Sequence, residues 1–339
     1  MMNDLVLQFQ ALLFTPDRIL NAIAALLIVS IVGMIRGSMG GSANPIMWRL
    51  IDIGFGALGD KMNKAGRPKG DLIFRGFIIM SIVIVFAFVI AKVLIVMSLE
   101  YSTWSLVQIL SLCVALSSGA VFAAIGQLYK ALNKKKVTKG AYYKIARSTR
   151  TDLSKNDDYT ITRVGMGYVL RSFDKSVVAP ILWYLIFGLV GAYLYAALAA
   201  LSWRFGKDGH SSGFGQAILS IEKLMGYVPN IISGILISFA ALITPTAGMT
   251  RAFLGLARPK GQATYEEGGL PLTAAAFALN ISLGGPTVDL GGGKIPRNWV
   301  GPEGATARLE SAHLHRVSYI SFIAHLLWLL GLGSALIFA

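Results

Sequence analysis

Apolar residues gather in six long stretches that carry almost no charge. A transmembrane helix needs about 20 apolar residues. The stretches are 19–35, 76–96, 101–129, 176–203, 224–250 and 317–339. The pattern predicts six membrane-spanning helices, or five if the short first stretch is not inserted. Asp4 precedes that stretch, where a signal peptide carries basic residues, so we interpret it as an uncleaved span.

Basic residues divide the connections between these stretches into rich and poor ones. Segments 36–75, 130–175 and 251–316 carry seven, twelve and seven Lys or Arg residues, whereas 97–100 has none and 204–223 has three. Cytoplasmic loops of membrane proteins are enriched in these residues. The alternation predicts that the three rich segments are cytoplasmic and that both poor segments and both termini face outward.

The first basic segment contains an amphipathic pattern. Within 40–64, the apolar residues Ile46, Leu50, Ile53 and Ala57 recur at helical spacing, with charged residues on other faces. A helix of this kind lies in the plane of the membrane interface. We therefore expect an interfacial helix on the cytoplasmic side.

The other two basic segments also contain helical patterns. Segment 130–175 is expected to be helical at both ends, with Asp157 or Asp158 as the N-cap of its second helix. Residues 270–286 are apolar but too short to span, so we expect a helix packed against the spans or dipping between them. The fold class predicted is therefore all-α, with residues 1–339 forming a single polytopic membrane domain.

Composition supports this assignment and limits the partners. Of 339 residues, 55% are hydrophobic and only 14% are charged, against roughly a quarter charged in soluble proteins. The net charge of +14 resides in the basic loops, so we expect contact with the bilayer and its anionic headgroups, and no nucleic-acid partner. Cys113 is the only cysteine, which excludes an internal disulfide and a thiolate metal site.

Four blocks of the sequence resemble the CobD/CbiB family of membrane proteins. They are "NPIMWRLID" from 44, "DKSVVAPILWYLIFGLVGAYLYAAL" from 174, "FGQAILSIEKLMGYVPNIISGIL" from 214 and "GGLPLTAAAFALNISLGGP" from 268. The matching positions are Asn44, Pro45, Ile46, Ala179, Pro180, Trp183, Gly188, Gly191, Ala192, Tyr195, Phe214, Gly215, Ala217, Pro229, Gly269, Pro271, Ala274, Ala275, Leu283, Gly284, Gly285 and Pro286. The order and spacing of the blocks cover most of the chain.

The resemblance implies an activity and a location. Members of this family form the amide bond of adenosylcobinamide phosphate, joining adenosylcobyric acid to an aminopropanol compound with ATP and Mg²⁺ during cobalamin biosynthesis. The implied location is the bacterial inner membrane.

The chain departs from the family where acidic residues are expected. Three acids of the family pattern correspond to Gly167, Arg171 and Lys175, which lie four residues apart on one helix face. Glycine and cations cannot supply the oxygen ligands that Mg²⁺ requires. Glu222 replaces one family acid, while Ser220, Lys223, Gly226 and Ile231 replace other functional positions of the pattern.

This selective loss favours a catalytically degenerate protein. It would act as a membrane scaffold, a regulator or a complex subunit, similar to AmpE-type relatives, with a membrane-protein partner or as a homo-oligomer and with neither cofactor nor metal. An active synthase using ATP and Mg²⁺ is the alternative. A transporter is disfavoured, because the sequence shows no paired inverted halves.

Arg171 and Lys175 allow three interpretations: boundary cations at lipid headgroups, a rebuilt anion pocket, or a rearranged catalytic site. The glycine-rich segment 284–294 lacks P-loop spacing, and Asp289 within it is interpreted as a turn residue. The candidate pocket consists of Arg163, Gly167, Arg171, Asp174, Lys175, Glu222, Gly284, Gly285 and Asp289.

Overall fold

The structure, a computed structural model, describes residues 15–64, 66–100, 104–135, 137, 139–209 and 213–338. These residues are mostly helical, which confirms the predicted all-α class. The helices are α1 (Pro16–Arg36), α2 (Ile46–Met62), α3 (Lys69–Glu100), α4 (Trp104–Ala115), α5 (Gly119–Asn133), α6 (Lys139–Thr149), α7 (Asp158–Phe173), α8 (Ala179–Phe205), α9 (Gln216–Ile243), α10 (Met249–Ala257), α11 (Gly269–Leu279) and α12 (Ser311–Phe338). Asp4 and the outermost residues of predicted spans 101–129 and 317–339 lie outside the described residues.

Six helical segments are long and apolar enough to cross a membrane, as the hydrophobic pattern predicts. They are Pro16–Arg36, Lys69–Leu99, Ser105–Asn133, Asp158–Phe205, Gln216–Ile243 and Ser311–Phe338. The first of them includes the short stretch whose insertion was in question. The chain is therefore a multi-pass membrane protein with an apolar segment at each predicted position.

The fourth segment reverses direction inside its length. At Gly188 the backbone leaves the helical region, with φ 63° and ψ −153°. In a straight helix, Trp183 and Gly191 would lie about 12 Å apart along the axis. Here they are so close that a Cβ atom on Gly191 would collide with the carbonyl oxygen of Trp183. The chain therefore turns back at Gly188. The apolar segment over 176–203 is present as predicted, but its pattern does not reveal this reversal, because the residues on both sides of Gly188 are equally apolar.

The reversal changes the location of segment 204–223. Arg204 pairs with Asp52 at 3.1 Å. Lys207 Nζ donates a hydrogen bond of 2.6 Å to the carbonyl oxygen of Arg150. Asp52 and Arg150 belong to the basic segments, so 204–223 lies on their side of the molecule. The prediction that it faces away from them is wrong, because the pattern counted one passage through 176–203 whereas the chain turns back at Gly188.

Helix α2 is the predicted amphipathic helix. Ile46, Leu50 and Ile53 are 40%, 56% and 68% exposed, whereas Trp48 and Ile51 on the opposite face are buried. The buried face packs against α8. The predicted apolar face thus points away from the protein, the orientation expected of a helix that contacts lipid.

The remaining predicted helices are also present. Asp157 is the N-cap of α7, and its side chain accepts a hydrogen bond of 2.9 Å from the Thr160 N–H. Every residue of α11 from 271 to 278 is buried, as expected of a helix packed between the spans.

Four two-residue strands follow α11, which the sequence did not predict. They are β1 (Leu283–Gly284), β2 (Thr287–Val288), β3 (Lys294–Ile295) and β4 (Trp299–Val300). β1 pairs with β4 and β2 with β3, both antiparallel. The two short ladders hold the glycine-rich segment beside α7.

Candidate functional site

Arg171, Asp174 and Lys175 lie where α7 joins α8 through a π-helical turn, Asp174–Val178. Such turns contain i→i+5 hydrogen bonds and occur frequently at functional sites. The three residues are only 8%, 0% and 5% exposed. Because protein groups surround them, the interpretation of Arg171 and Lys175 as boundary cations at lipid headgroups is wrong.

Lys175 forms a buried ion pair with Glu222 of α9. Lys175 Nζ donates a hydrogen bond of 3.1 Å to Oε2 of Glu222, which is fully buried. The hydroxyls of Tyr195 and Tyr265 donate to Oε1 at 3.3 Å and 2.6 Å. Lys175 Nζ also lies 4.1 Å from the centre of the Tyr265 ring, a cation–π contact. We call these four residues the Glu222 network.

The Glu222 network depends on the turn at Gly188. Tyr195 and Lys175 lie on opposite arms of the hairpin, and a straight helix would separate them by about 30 Å. Tyr265 lies outside the spans, and burial, followed by the Glu222 charge, raises its pKa well above the usual value. The Tyr265 hydroxyl therefore keeps its proton and donates it to Glu222. Both carboxylate oxygens of Glu222 thus accept hydrogen bonds from within the protein.

Asp174 is held by a second set of bonds. Asn230 Nδ2 and Ser233 Oγ of α9 donate to its carboxylate at 2.7 Å and 3.1 Å. Asn230 Oδ1 in turn accepts from the N–H of Leu270, at the start of α11. A Cβ atom on Gly269 would collide with Asn230, which explains why a glycine begins this helix. Asp174 therefore connects three helices.

A small cavity of about 40 Å³ lies on the α7 surface. Of the predicted pocket residues, it brings together Arg163, Gly167, Arg171 and Gly284. The remainder of its wall consists of Thr149, Thr151, Val164, Tyr168, Glu267, Leu272, Thr287 and Arg297. We call it the arginine cavity.

The arginine cavity contains polar atoms without protein partners. Among the described residues, Nε of Arg163, Nη2 of Arg171, Nε of Arg297, Oγ1 of Thr287 and Oε2 of Glu267 are buried and make no hydrogen bond. Buried polar groups in proteins are nearly always hydrogen-bonded. Burial lowers the pKa of Arg297, a shift that Glu267 opposes. Burial raises the pKa of Glu267, a shift that Arg297 opposes.

Gly285 and Asp289 differ in their relation to this cavity. Gly285 (φ +77°) lies against the Arg163 guanidinium and the Trp299 ring, which stack with the Arg163 Cζ 4.5 Å from the ring centre. Asp289 pairs instead with Lys207 at 2.9 Å and accepts from the Gly291 N–H. Burial alone would raise the pKa of Asp289, but Lys207 and that N–H hold it below its usual value.

Several residues of the site were missed from the sequence. Asn230 and Tyr195 lie in blocks that resemble the family, but their partners come from distant segments. Tyr265 begins a short 3-10 helix and Arg297 lies in a loop, and no local pattern marks either one. Lys207 was counted only as a loop cation.

Comparison with known proteins identifies relatives of the chain. A family model described as CobD/Cbib protein matches residues 41–320. A protein of Methanothermobacter thermautotrophicus named "Probable cobalamin biosynthesis protein CobD" is 28% identical over 148 residues, which is 43% of this chain and 49% of the relative. A "Cobalamin biosynthesis protein CobD" of Sinorhizobium is 31% identical over 157 residues, 45% of this chain and 48% of the relative.

The chain thus spans about half the length of the curated relatives it matches. No solved structure matches it. The family model, however, covers both the hairpin at Gly188 and the buried site, together with most of the chain. The chain belongs to the CobD/CbiB family.

Proposed function

We propose that this protein is a cobalamin-related member of its family that has lost amide-forming catalysis and acts as a membrane scaffold, regulator or complex subunit. It resides in the bacterial inner membrane, with its basic segments in the cytoplasm. One observation carries the proposal. Where the resemblance implies three acids, the chain presents Gly167, Arg171 and Lys175 to the interior, and the Lys175 ammonium pairs with Glu222.

The remaining acids of the site do not suit a magnesium ion. Mg²⁺ requires several oxygen ligands in octahedral geometry. Glu222 is occupied by Lys175 and two tyrosine hydroxyls, and Asp174 by Asn230 and Ser233. Among the described residues, no three His, Cys, Asp or Glu side chains come together as a metal site. The residues present therefore do not fit the magnesium that the family activity implies.

A direct assay tests this proposal. The full-length protein in lipid nanodiscs is given a corrinoid carboxylic acid, an aminopropanol compound, ATP and Mg²⁺, and amide product is followed by mass spectrometry. A family member that retains the acidic residues is the positive control. We expect no product above the level of empty nanodiscs. Product that forms with this protein and disappears with Glu222→Ala contradicts the proposal.

The second candidate is an active synthase, and one observation favours it. Two acids, Asp174 and Glu222, are completely buried on neighbouring helices, beside a cation-lined cavity. Burying a carboxylate costs free energy, so two buried acids on adjacent helices favour a functional role. The same assay decides between the candidates, because only the synthase requires ATP turnover.

A scaffold or subunit needs a partner, which is either another membrane protein or a second copy of this chain. Native mass spectrometry of the protein extracted from its own membrane distinguishes these. We expect a stoichiometric assembly that survives extraction. Salt-sensitive retention of anionic lipids, but not of zwitterionic ones, is the expected sign of headgroup contact by the basic loops.

A further inference from the structure

Three arginines converge on the arginine cavity from two separate elements. Arg163 and Arg171 project from α7, and Arg297 comes from the loop between β3 and β4. Among the described residues of this wall, Glu267 supplies the one carboxylate. The described wall therefore holds three guanidinium groups and one carboxylate, while the charges of Glu266, Asp208 and Asp289 outside it also act on Arg297.

The guanidinium groups are buried but incompletely bonded. Arg163 is 9% exposed and Arg171 is 8% exposed. Arg163 Nη2 donates to the carbonyl oxygen of Pro286 at 3.4 Å, while its Nε has no partner among the described residues. The same holds for Nη2 of Arg171 and Nε of Arg297. Leaving a charged donor buried without an acceptor is unfavourable, so these atoms indicate a missing acceptor.

The cavity suits a tetrahedral oxyanion. Its volume of about 40 Å³ is room for about three water molecules or one small anion. Thr287 adds a buried hydroxyl without a partner among the described residues. Guanidinium groups bind phosphate through paired, charge-assisted hydrogen bonds. The wall thus offers a phosphate group donors from three directions.

By contrast, the neighbouring Lys175 needs no ligand, because Glu222 already neutralises it at 3.1 Å. Of these two neighbouring regions, the arginine cavity is therefore the one whose described cations have bonding capacity left for a ligand.

We propose that Arg163, Arg171 and Arg297 form a binding site for a phosphate group. The site is independent of amide formation, so it stands whether or not the protein is a catalyst. The phosphate is free, part of a nucleotide or part of a lipid headgroup, and the three sources share the same recognition chemistry.

Titration of the full-length protein in detergent tests the site. Inorganic phosphate is added at constant ionic strength, with chloride as reference, and binding is followed by calorimetry and by the thermal unfolding midpoint. We expect a saturable rise of the midpoint with phosphate alone. Arg163→Gln and Arg171→Gln should each weaken phosphate binding at least about tenfold, since each removes a charge-assisted hydrogen bond. Arg308→Gln is the matched control, because Arg308 is exposed and outside the cavity, and it should bind like the unmodified protein.

Two further arms identify the source of the phosphate. Tighter binding of ATP or AMP than of inorganic phosphate assigns a nucleotide. Loss of the phosphate response in nanodiscs that contain phosphatidic acid, but not in phosphatidylcholine nanodiscs, assigns a lipid headgroup. Tightest binding of inorganic phosphate assigns the free ion.

The proposal is overturned if no phosphate compound shifts the unmodified protein beyond the effect of chloride. It is also overturned if folded Arg163→Gln and Arg171→Gln variants keep the original affinity. Arg297→Gln, in a loop outside the spans, serves the same purpose should the helix variants fail to fold.

Discussion

The Glu222 network and the arginine cavity meet at Arg171 and Lys175, yet their chemistry differs. Lys175 has its counter-charge on α9, and both Glu222 oxygens are bonded. Arg171 has a buried nitrogen without a partner among the described residues. Both cations are equally buried, so burial alone does not distinguish a structural charge from a ligand site. The distinction lies in whether the hydrogen-bonding capacity is satisfied within the protein.

The largest effect should come from removing the counter-charge of Lys175. Glu222→Ala leaves a buried ammonium without its carboxylate, and breaking a buried pair in this way costs about 3–5 kcal/mol. The free energy of unfolding is measured by denaturant titration in micelles. The double variant Lys175→Met with Glu222→Leu should recover most of the loss, because neither charge remains. A double variant as unstable as Glu222→Ala would show that Lys175 and Glu222 are not coupled.

A smaller effect is expected at the turn that assembles the network. Gly188 has a backbone conformation that is essentially restricted to glycine, so Gly188→Ala should cost about 1–3 kcal/mol. Gly126→Ala is the control, since that helical glycine has open space around it. No described residue of the hairpin arm that follows Gly188 lines the arginine cavity. Phosphate affinity should therefore persist in Gly188→Ala. If Gly188→Ala lost phosphate affinity as well as stability, the arginine cavity would depend on the turn that assembles the Glu222 network.

Replacement of Arg171 should raise the free energy of unfolding rather than lower it. Without phosphate, Arg171→Met removes a buried donor that lacks an acceptor, and we expect a gain of about 1 kcal/mol in the free energy of unfolding. The exposed Arg308→Met should change it by less than about 0.5 kcal/mol. A marked loss of stability in Arg171→Met would indicate that the Arg171 guanidinium is satisfied in the protein, as Lys175 is.

The two regions also show what the sequence could and could not predict. Features that depend on one stretch of sequence could be predicted from its length and residue pattern. They are the six apolar segments, the Asp157 cap and the packed helix α11. The reversal at Gly188 could not be predicted in this way, because the residues on both sides are equally apolar. Of the nine predicted pocket residues, four line the arginine cavity, with Gly285 against Arg163 beside it, and two belong to the Glu222 network. Asp174 bonds instead to Asn230 and Ser233, and Asp289 pairs with Lys207. Arg297 and Tyr265 reach the site only through tertiary contacts, which no spacing along the chain encodes.

The smallest effect concerns the one carboxylate of the arginine cavity. Burial raises the pKa of Glu267 above its usual value of 4.5, while Arg297 opposes the shift and Glu266 adds to it. The folded protein therefore favours neutral Glu267. That contribution to stability is complete below pH 4.5 and is lost as pH rises through the higher folded value.

Anion affinity should change in the same pH window. Protonation of Glu267 removes the only negative charge among the described residues of the cavity wall. Sulfate is the suitable probe, because its own charge stays constant over this range. We expect sulfate binding by the full-length protein to strengthen a few-fold as pH falls toward 4.5. Glu267→Gln should bind sulfate more tightly at neutral pH and lose most of the pH dependence. An unchanged pH profile in Glu267→Gln would mean that Glu267 does not face the anion, and that the positive field of Arg163, Arg171 and Arg297 acts without opposition.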